Sequence, residues 1–131
     1  MYFWKWYVTN VKGIELSHWA VQHPLATGII EGNIVDGVLY EDVDLITAVD
    51  VLEHLSDLDL SQVLQNMAHH GKHFLFSIPF VGDPNLTNDG THKQFKTKDE
   101  WKQLIDKHGI KVQDAPVEWH YSHQLLIGVK S

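Results

Sequence analysis

The stretch that decides the fold is LITAVDVLEHL, residues 45–55. Residues 45–49 are a short, mostly apolar run with an acid on each side, a pattern typical of a strand buried on both faces. Three ionisable residues follow within five positions, namely Asp50, Glu53 and His54. Ligands in open α/β sheets bind beyond the carboxyl ends of the strands. The stretch therefore predicts a buried strand with a candidate functional site at its end.

The residues after this strand continue an alternation of helix and strand. Residues 57–68 repeat apolar positions with helical spacing, and Gly71 interrupts that pattern. Residues 73–78 form a continuous apolar run that Pro79 ends. We predict a helix and a buried strand here, followed by a long polar loop over residues 82–96 of the kind that often carries function.

The last third of the chain predicts one more helix and a pair of strands. Thr97 and Glu100 have the spacing of a capping box, and Gly109 is a suitable helix stop. Residues 110–112 and 118–130 each contain a strand-like apolar run. Because only a short loop separates these two strands, we expect them to be antiparallel.

The residues before the deciding stretch predict two short strands and a helix. Residues 11–16 and 27–30 are the strands, and Ser17 is placed to cap a helix over 18–23 that Pro24 ends. The whole order is β-α-β-β-α-β-α-β-β. It predicts an α/β fold, a Rossmann-like three-layer sandwich with a mostly parallel sheet and an antiparallel C-terminal strand.

Composition narrows the class of protein. The chain has 131 residues with 44% hydrophobic residues, enough for one domain with a real core. A formal net charge of −7 and the absence of arginine argue against a nucleic-acid partner. Apolar runs are too short to span a membrane, the first residues predict no signal peptide, and the sequence has no cysteine. We expect a cytoplasmic protein.

Two strand ends carry acids that have both a functional and a structural interpretation. Glu15 ends the first strand, where a carboxylate can accept hydrogen bonds from both ribose hydroxyls, or can simply favour the following helix dipole. Asp50, Glu53 and His54 can likewise be a site or a helix-entry cap with a surface histidine. An inverted zinc-protease motif also ends in Glu-His, but it requires histidine where Asp50 stands.

Taken together, five segments resemble class I S-adenosylmethionine-dependent methyltransferases of the small-molecule type. They are GIELSHWAV, ITAVDVLEHL, HFLFSIPF, DGTH and TKDEWKQLIDKHGI, in the family's order, and the resemblance covers nearly the whole chain. It implies that Glu15 binds the cofactor ribose. It also implies that Asn33, with Ile34 beside it, occupies the adenine position, where the family usually has aspartate.

The same resemblance implies the roles of the residues after the later strands. Asp50, Glu53 and His54 fall on the segment that lines the methionine end of S-adenosylmethionine, and the loop from Pro79 to His92 falls on the acceptor side. Methyl transfer is an in-line displacement, so the protein mainly aligns donor and acceptor. His54 and His92 are candidate catalytic bases for a small-molecule or sugar-like acceptor.

One departure from the family concerns the glycine turn that approaches the cofactor. No two of the nine glycines are separated by a single residue, so the Gly-x-Gly that ends the family's first strand is absent. Residues 1–7 resemble the tail of the following helix. We expect a single domain over residues 1–131 that is N-terminally truncated, lacks the first βα unit and forms a homodimer through exposed sheet edges.

Two other classes of function remain as alternatives. A truncated chain could be a non-catalytic interaction or dimerisation module derived from a methyltransferase. A nucleotide-binding or response-regulator-like module would explain the alternation of elements, but not the ordered set of Glu15, Asp50, His54 and His92.

The other histidines do not predict a metal site. His69, His70 and His73 lie close together, and His120 and His123 are three apart. Metal sites need ligands that converge, with supporting hydrogen bonds. Because neither group has a cysteine or a convergent acid, we expect no native metal.

Overall fold

The computed structural model describes residues 10–24, 27–117 and 125–131. The chain divides into two compact units, Met1–Tyr40 and Glu41–Ser131. The predictions made for residues 1–7, His120 and His123 lie outside the described residues.

The first unit is a small βαβ arrangement. Strands β1 (Gly13–Glu15) and β2 (Ile29–Glu31) pair in parallel, and helix α1 (His18–Gln22) connects them. The predicted cap is confirmed, since the Ser17 hydroxyl accepts a hydrogen bond from the Ala20 amide at 3.2 Å. Both strands and the helix lie where the sequence predicts them.

The second unit is built on a four-stranded sheet in the order β3-β4-β6-β5. The strands are β3 (Val43–Val49), β4 (Gly71–Ser77), β5 (Ile110–Asp114) and β6 (Leu125–Lys130). β3 and β4 are parallel, whereas β6 is antiparallel to both of its neighbours. The predicted antiparallel C-terminal strand is confirmed, and it lies between β4 and β5. The chain is thus an α/β protein of the Rossmann-like class.

Three helices belong to this unit, α2 (Asp57–His70), α3 (Pro84–Asn88) and α4 (Lys98–Lys107). The apolar face predicted for α2 is buried. Both hydrogen bonds of the predicted capping box are formed, since each of Thr97 and Glu100 accepts the other's backbone amide with its side chain. The core is dominated by large side chains with 4% or less of their surface exposed: Leu60, Val63, Leu64, Met67, Phe74, Phe76, Trp101, Ile105, Ile110 and Leu126.

Strand β3 differs from its prediction as a strand buried on both faces. Only Ala48 is buried, while Leu45 and Val49 are 40% and 58% exposed. The reason is its position: within the described residues β3 pairs with β4 and with no other strand. The β3 strand is therefore an edge of the sheet there, although its apolar side chains suit a central position.

The predicted polar loop over residues 82–96 also differs, because it contains helix α3. Asp83 caps this helix by accepting from the Asn85 amide, and Pro84 occupies its first turn. A helix of one turn has too few residues for an apolar period, so pattern analysis misses it. No helix in the described part of the chain is long and apolar enough to cross a membrane.

The ion pairs of Asp114 yield a prediction on stability. The Asp114 carboxylate contacts Nζ of Lys102 at 2.9 Å and Nζ of Lys98 at 3.5 Å, which lowers its pKa, mainly through the Lys102 hydrogen bond. A carboxyl whose pKa is lowered by folding stabilises the folded state at pH values above the ordinary pKa of that carboxyl. This stabilisation is lost as the pH falls through the pKa of the folded state. For an exposed pair the contribution is below about 1 kcal/mol.

We therefore expect Asp114→Asn to lower the free energy of unfolding at pH 7, and the difference from wild type to shrink as the pH falls below about 4. Urea denaturation at pH 7, 5 and 3 measures this. In 1 M salt the difference at pH 7 should also shrink. A difference that is independent of both pH and salt would contradict the assignment.

Candidate functional site

The carboxyl ends of β3 and β4 meet at one edge of the sheet and are joined by hydrogen bonds. The Asp50 amide donates to the Ser77 carbonyl at 2.9 Å, and the Ser77 hydroxyl donates to the Asp50 carboxylate at 3.3 Å. Ser77 is buried. The predicted strand-end acid thus lies at the position where ligands bind in open α/β sheets.

Asp50 has a backbone conformation that residues other than glycine rarely adopt. Its φ is 52°, and it is the one non-glycine residue with positive φ in the described ranges. Left-handed backbone at a non-glycine residue is strained, and such strain concentrates at functional sites. The bend leads the chain from β3 directly into a 3₁₀ turn at Leu52–His54.

That 3₁₀ turn holds the loop that follows α3. The Glu53 carbonyl accepts hydrogen bonds from the amides of Lys93 at 2.7 Å and Gln94 at 3.1 Å. The buried Gln94 side chain donates to the Leu55 carbonyl at 2.8 Å and to the Asp57 carboxylate at 3.0 Å. These bonds fix the loop that carries His92 against the turn.

The result is a cluster of Glu53, His54 and His92, called here the His–Glu cluster. Oε1 of Glu53 lies 3.8 Å from Nε2 of His54 and 3.9 Å from Nε2 of His92. The two imidazole rings are 4.6 Å apart between centroids and meet edge to face. The structure therefore brings His92 to the adjacent residues Glu53 and His54, from a segment about 40 residues further along the chain.

Hydrogen bonds at the far nitrogens orient both rings. His92 Nδ1 lies 2.9 Å from the Leu86 carbonyl, which can only accept, so this nitrogen carries the proton. Thr91 donates its hydroxyl hydrogen to Asp89 at 2.5 Å, so at 3.0 Å it accepts from His54 Nδ1. In the neutral rings both Nε2 atoms then present lone pairs toward Glu53. The sequence indicated Asp89 and Thr91 only as polar loop residues.

Burial dominates the electrostatics of the cluster. Glu53 is 1% exposed, and burial raises the pKa of its carboxyl; its own backbone amide opposes the shift, the Asp50 charge adds to it and the two histidines oppose it. The hydrogen bonds from Thr91 lower the pKa of Asp89. Burial thus disfavours the ionised form of Glu53 unless a positive charge lies next to it, whereas the hydrogen bonds from Thr91 favour the ionised form of Asp89.

The residues predicted for the adenosine half of the cofactor lie in the first unit. Glu15 ends β1 and accepts from the Ser17 amide through Oε1 at 2.8 Å, which orients the carboxylate. Asn33 follows β2 and uses its side-chain oxygen to accept from the Val35 amide at 3.0 Å. Ile34 beside it is half-buried. An adenine amine would have to share the Asn33 oxygen with this turn.

The other histidines of the described chain have structural partners. His70 Nδ1 contacts the Asp42 carboxylate at 2.8 Å, and His73 Nδ1 lies 3.2 Å from the Asp44 carbonyl. The His–Glu cluster is the only group in the described ranges whose ligand atoms converge closely enough for a metal ion.

Comparison with known proteins identifies the fold. No protein-family model matches the chain, and no curated protein sequence matches it significantly. Among solved structures, a SAM-dependent methyltransferase from Archaeoglobus fulgidus aligns with a TM-score of 0.68 at 13% identity, covering 90% of this chain and 75% of that one.

Two further structures were solved with S-adenosylhomocysteine (SAH). Magnesium protoporphyrin IX methyltransferase from Synechocystis PCC 6803 aligns with a TM-score of 0.64 at 17% identity, over 92% of this chain and 64% of that one. A variant of LepI, in complex with SAH and a substrate analogue, aligns with a TM-score of 0.65 at 15% identity, over 98% and 38%. The chain has the fold of class I SAM-dependent methyltransferases.

The backbone at Asp50 yields a prediction with two matched variants. Asp50→Gly and Asp50→Ala both remove the carboxylate, but only alanine keeps a Cβ in the left-handed conformation. At an ordinary helix or strand position, a protein with glycine is less stable than the same protein with alanine by roughly 0.5–1 kcal/mol. Here we expect the reverse, with the glycine variant more stable by about 1 kcal/mol. Urea denaturation of the pair measures this, and an alanine variant that is equally or more stable would contradict the strain.

Proposed function

We propose that this chain is a methyltransferase domain that binds S-adenosylmethionine and methylates a hydroxyl or amine of a small-molecule or sugar-like acceptor. The fold supports the general kind of protein. The observation that carries the proposal is the His–Glu cluster at the carboxyl ends of β3 and β4. It combines two oriented imidazoles with a buried carboxylate, at the edge where such folds bind ligands.

The proposed cofactor supplies an electrophilic methyl group on a sulfonium when it is bound. In the first unit, Glu15 fits the role of ribose acceptor, because the Ser17 amide orients its carboxylate through one oxygen only. In the second unit, the strained Asp50 and the turn after it fit the methionine end. Asp50 is exposed at the strand end, with its φ of 52°.

The proposed role of the histidines is to remove the acceptor proton. Nε2 of His92 is the first candidate, since the Leu86 carbonyl holds its Nδ1 and carboxylate oxygens of Asp89 and Glu53 lie 3.6 and 3.9 Å from Nε2. The proton would pass from the acceptor to Nε2, and the nearby Glu53 carboxylate would stabilise the imidazolium that forms. His54, more exposed, has the same orientation and is the second candidate.

A non-catalytic interaction or dimerisation module is the second candidate function. The observation that favours it is the edge strand β3, which exposes Leu45 and Val49. Homodimerisation and a cytoplasmic location remain predictions from the sequence.

Calorimetric titration of the full chain with SAH distinguishes the two candidates. The methyltransferase proposal predicts saturable binding, which Glu15→Gln weakens by about ten-fold because a hydrogen bond to a charged acceptor is worth roughly 1.5–3 kcal/mol. The amide of that variant can still accept from the Ser17 amide. Asp106→Asn, a matched acid-to-amide change on α4, should leave the affinity unchanged. No heat at millimolar SAH would reject cofactor binding and favour the non-catalytic module.

A further inference from the structure

The Glu53 carboxylate is buried without a hydrogen-bond partner. Neither side-chain oxygen has one within the described residues, although the side chain is 1% exposed. A buried carboxylate that lacks a partner is strongly unfavourable unless it is neutralised or binds a cation. The backbone of Glu53 does not leave it free to move away, because its carbonyl is held by the amides of Lys93 and Gln94.

Two nitrogen lone pairs face this carboxylate at distances too long for hydrogen bonds. The Nε2 atoms of His54 and His92 lie 3.8 and 3.9 Å from Oε1, and the three ligand atoms all fall within 4.8 Å of one another. Ligand atoms on a tetrahedron with metal–ligand bonds of about 2.1 Å are roughly 3.4 Å apart. Inward movement of about half an ångström would bring each atom to bonding distance of a central ion.

The hydrogen bonds behind the rings are those that metal-binding histidines make. His92 donates from Nδ1 to the Leu86 carbonyl, and His54 donates from Nδ1 to Thr91, which in turn donates to the Asp89 carboxylate. Such partners fix the tautomer and leave Nε2 free to bind a metal. A further carboxylate oxygen, Oδ2 of Asp89, lies 3.6 Å from His92 Nε2 and adds negative charge.

We propose that Glu53, His54 and His92 bind one divalent transition-metal ion of the zinc type, with at least one coordination position open. Two imidazole nitrogens and one carboxylate suit zinc and its neighbours rather than magnesium or calcium, which prefer oxygen ligands throughout. The ion supplies the positive partner that Glu53 lacks. This departs from the expectation of no metal, because the sequence does not reveal that Glu53, His54 and His92 converge.

Metal binding and cofactor binding are tested separately, because a bound ion would occupy the Nε2 lone pair of His92, and this histidine would then act as a base only in the metal-free chain. An open position on the ion would accommodate an oxygen of a ligand and lower the pKa of a hydroxyl bound there. Metal binding is measured without cofactor, and SAH binding is measured in the presence of a chelator. Failure of one proposal is thus distinguishable from failure of the other.

The test is titration of the chelator-treated full chain with Co²⁺, followed by visible absorption, and with Zn²⁺, followed by calorimetry. We expect one ion per chain and the intense visible bands of a Co²⁺ ion with four or five ligands. Glu53→Gln and His92→Gln should each abolish these bands. Thr91→Val, which removes only the support behind His54, should weaken binding by about 10- to 100-fold.

The matched control is the double variant His69→Gln/His70→Gln, which removes two imidazoles at the end of α2, outside the cluster. It should bind Co²⁺ as the wild type does. Far-UV circular dichroism verifies that each variant is folded. Glu53→Gln also relieves a buried charge, so it should fold at least as well as the wild type. The proposal is overturned if no saturable binding occurs, or if His92→Gln binds normally while the double variant loses binding.

Discussion

The site depends on how Glu53 is held. Its carbonyl accepts two amides from the loop after α3, so the backbone of the turn and the backbone of the loop are joined at one atom. Its side chain is buried beneath the two imidazoles that this junction brings together. His92 lies far from His54 in the sequence, and this junction, together with the Gln94 side-chain bonds to Leu55 and Asp57, holds its loop against the turn so that the two rings meet.

Periodicity and capping were enough to predict most of the fold. Apolar spacing located α2 and α4, and the Thr97–Glu100 box located the start of α4, because these signals are local. The single turn of α3 is too short to have a period. The burial of β3 was overestimated because an apolar run records which residues a strand contains and not how many neighbours it pairs with.

The sequence located the site residues but not their arrangement. Asp50, Glu53 and His54 are recognisable at a strand end, whereas the approach of His92 depends on backbone hydrogen bonds from the two residues that follow it. Backbone hydrogen bonds between a loop and a turn leave no periodic pattern in the sequence. The tautomers depend in the same way on a carbonyl and a hydroxyl of the same loop. A histidine pattern alone therefore could not distinguish this cluster from the histidines at the end of α2.

The fold is shared with two methyltransferases at 13% and 17% identity, which shows that the layered arrangement tolerates almost complete replacement of side chains. Activity does not follow from a fold of this kind, since it depends on the residues at the strand ends. Here those ends carry a strained Asp50 and a buried Glu53 with two oriented imidazoles. A chain selected only for packing would have little reason to keep either feature.

We propose that the carboxyl ends of β3 and β4 form a ligand site for an adenosyl cofactor. The most direct measurement is a ¹H–¹⁵N correlation spectrum of the full chain recorded with increasing SAH. We predict concentration-dependent shifts of the amides of residues 50–54 and 77–78, with the amides of β5 unchanged. Shifts confined to β5 and α4, or no shifts at saturating SAH, would contradict the claim.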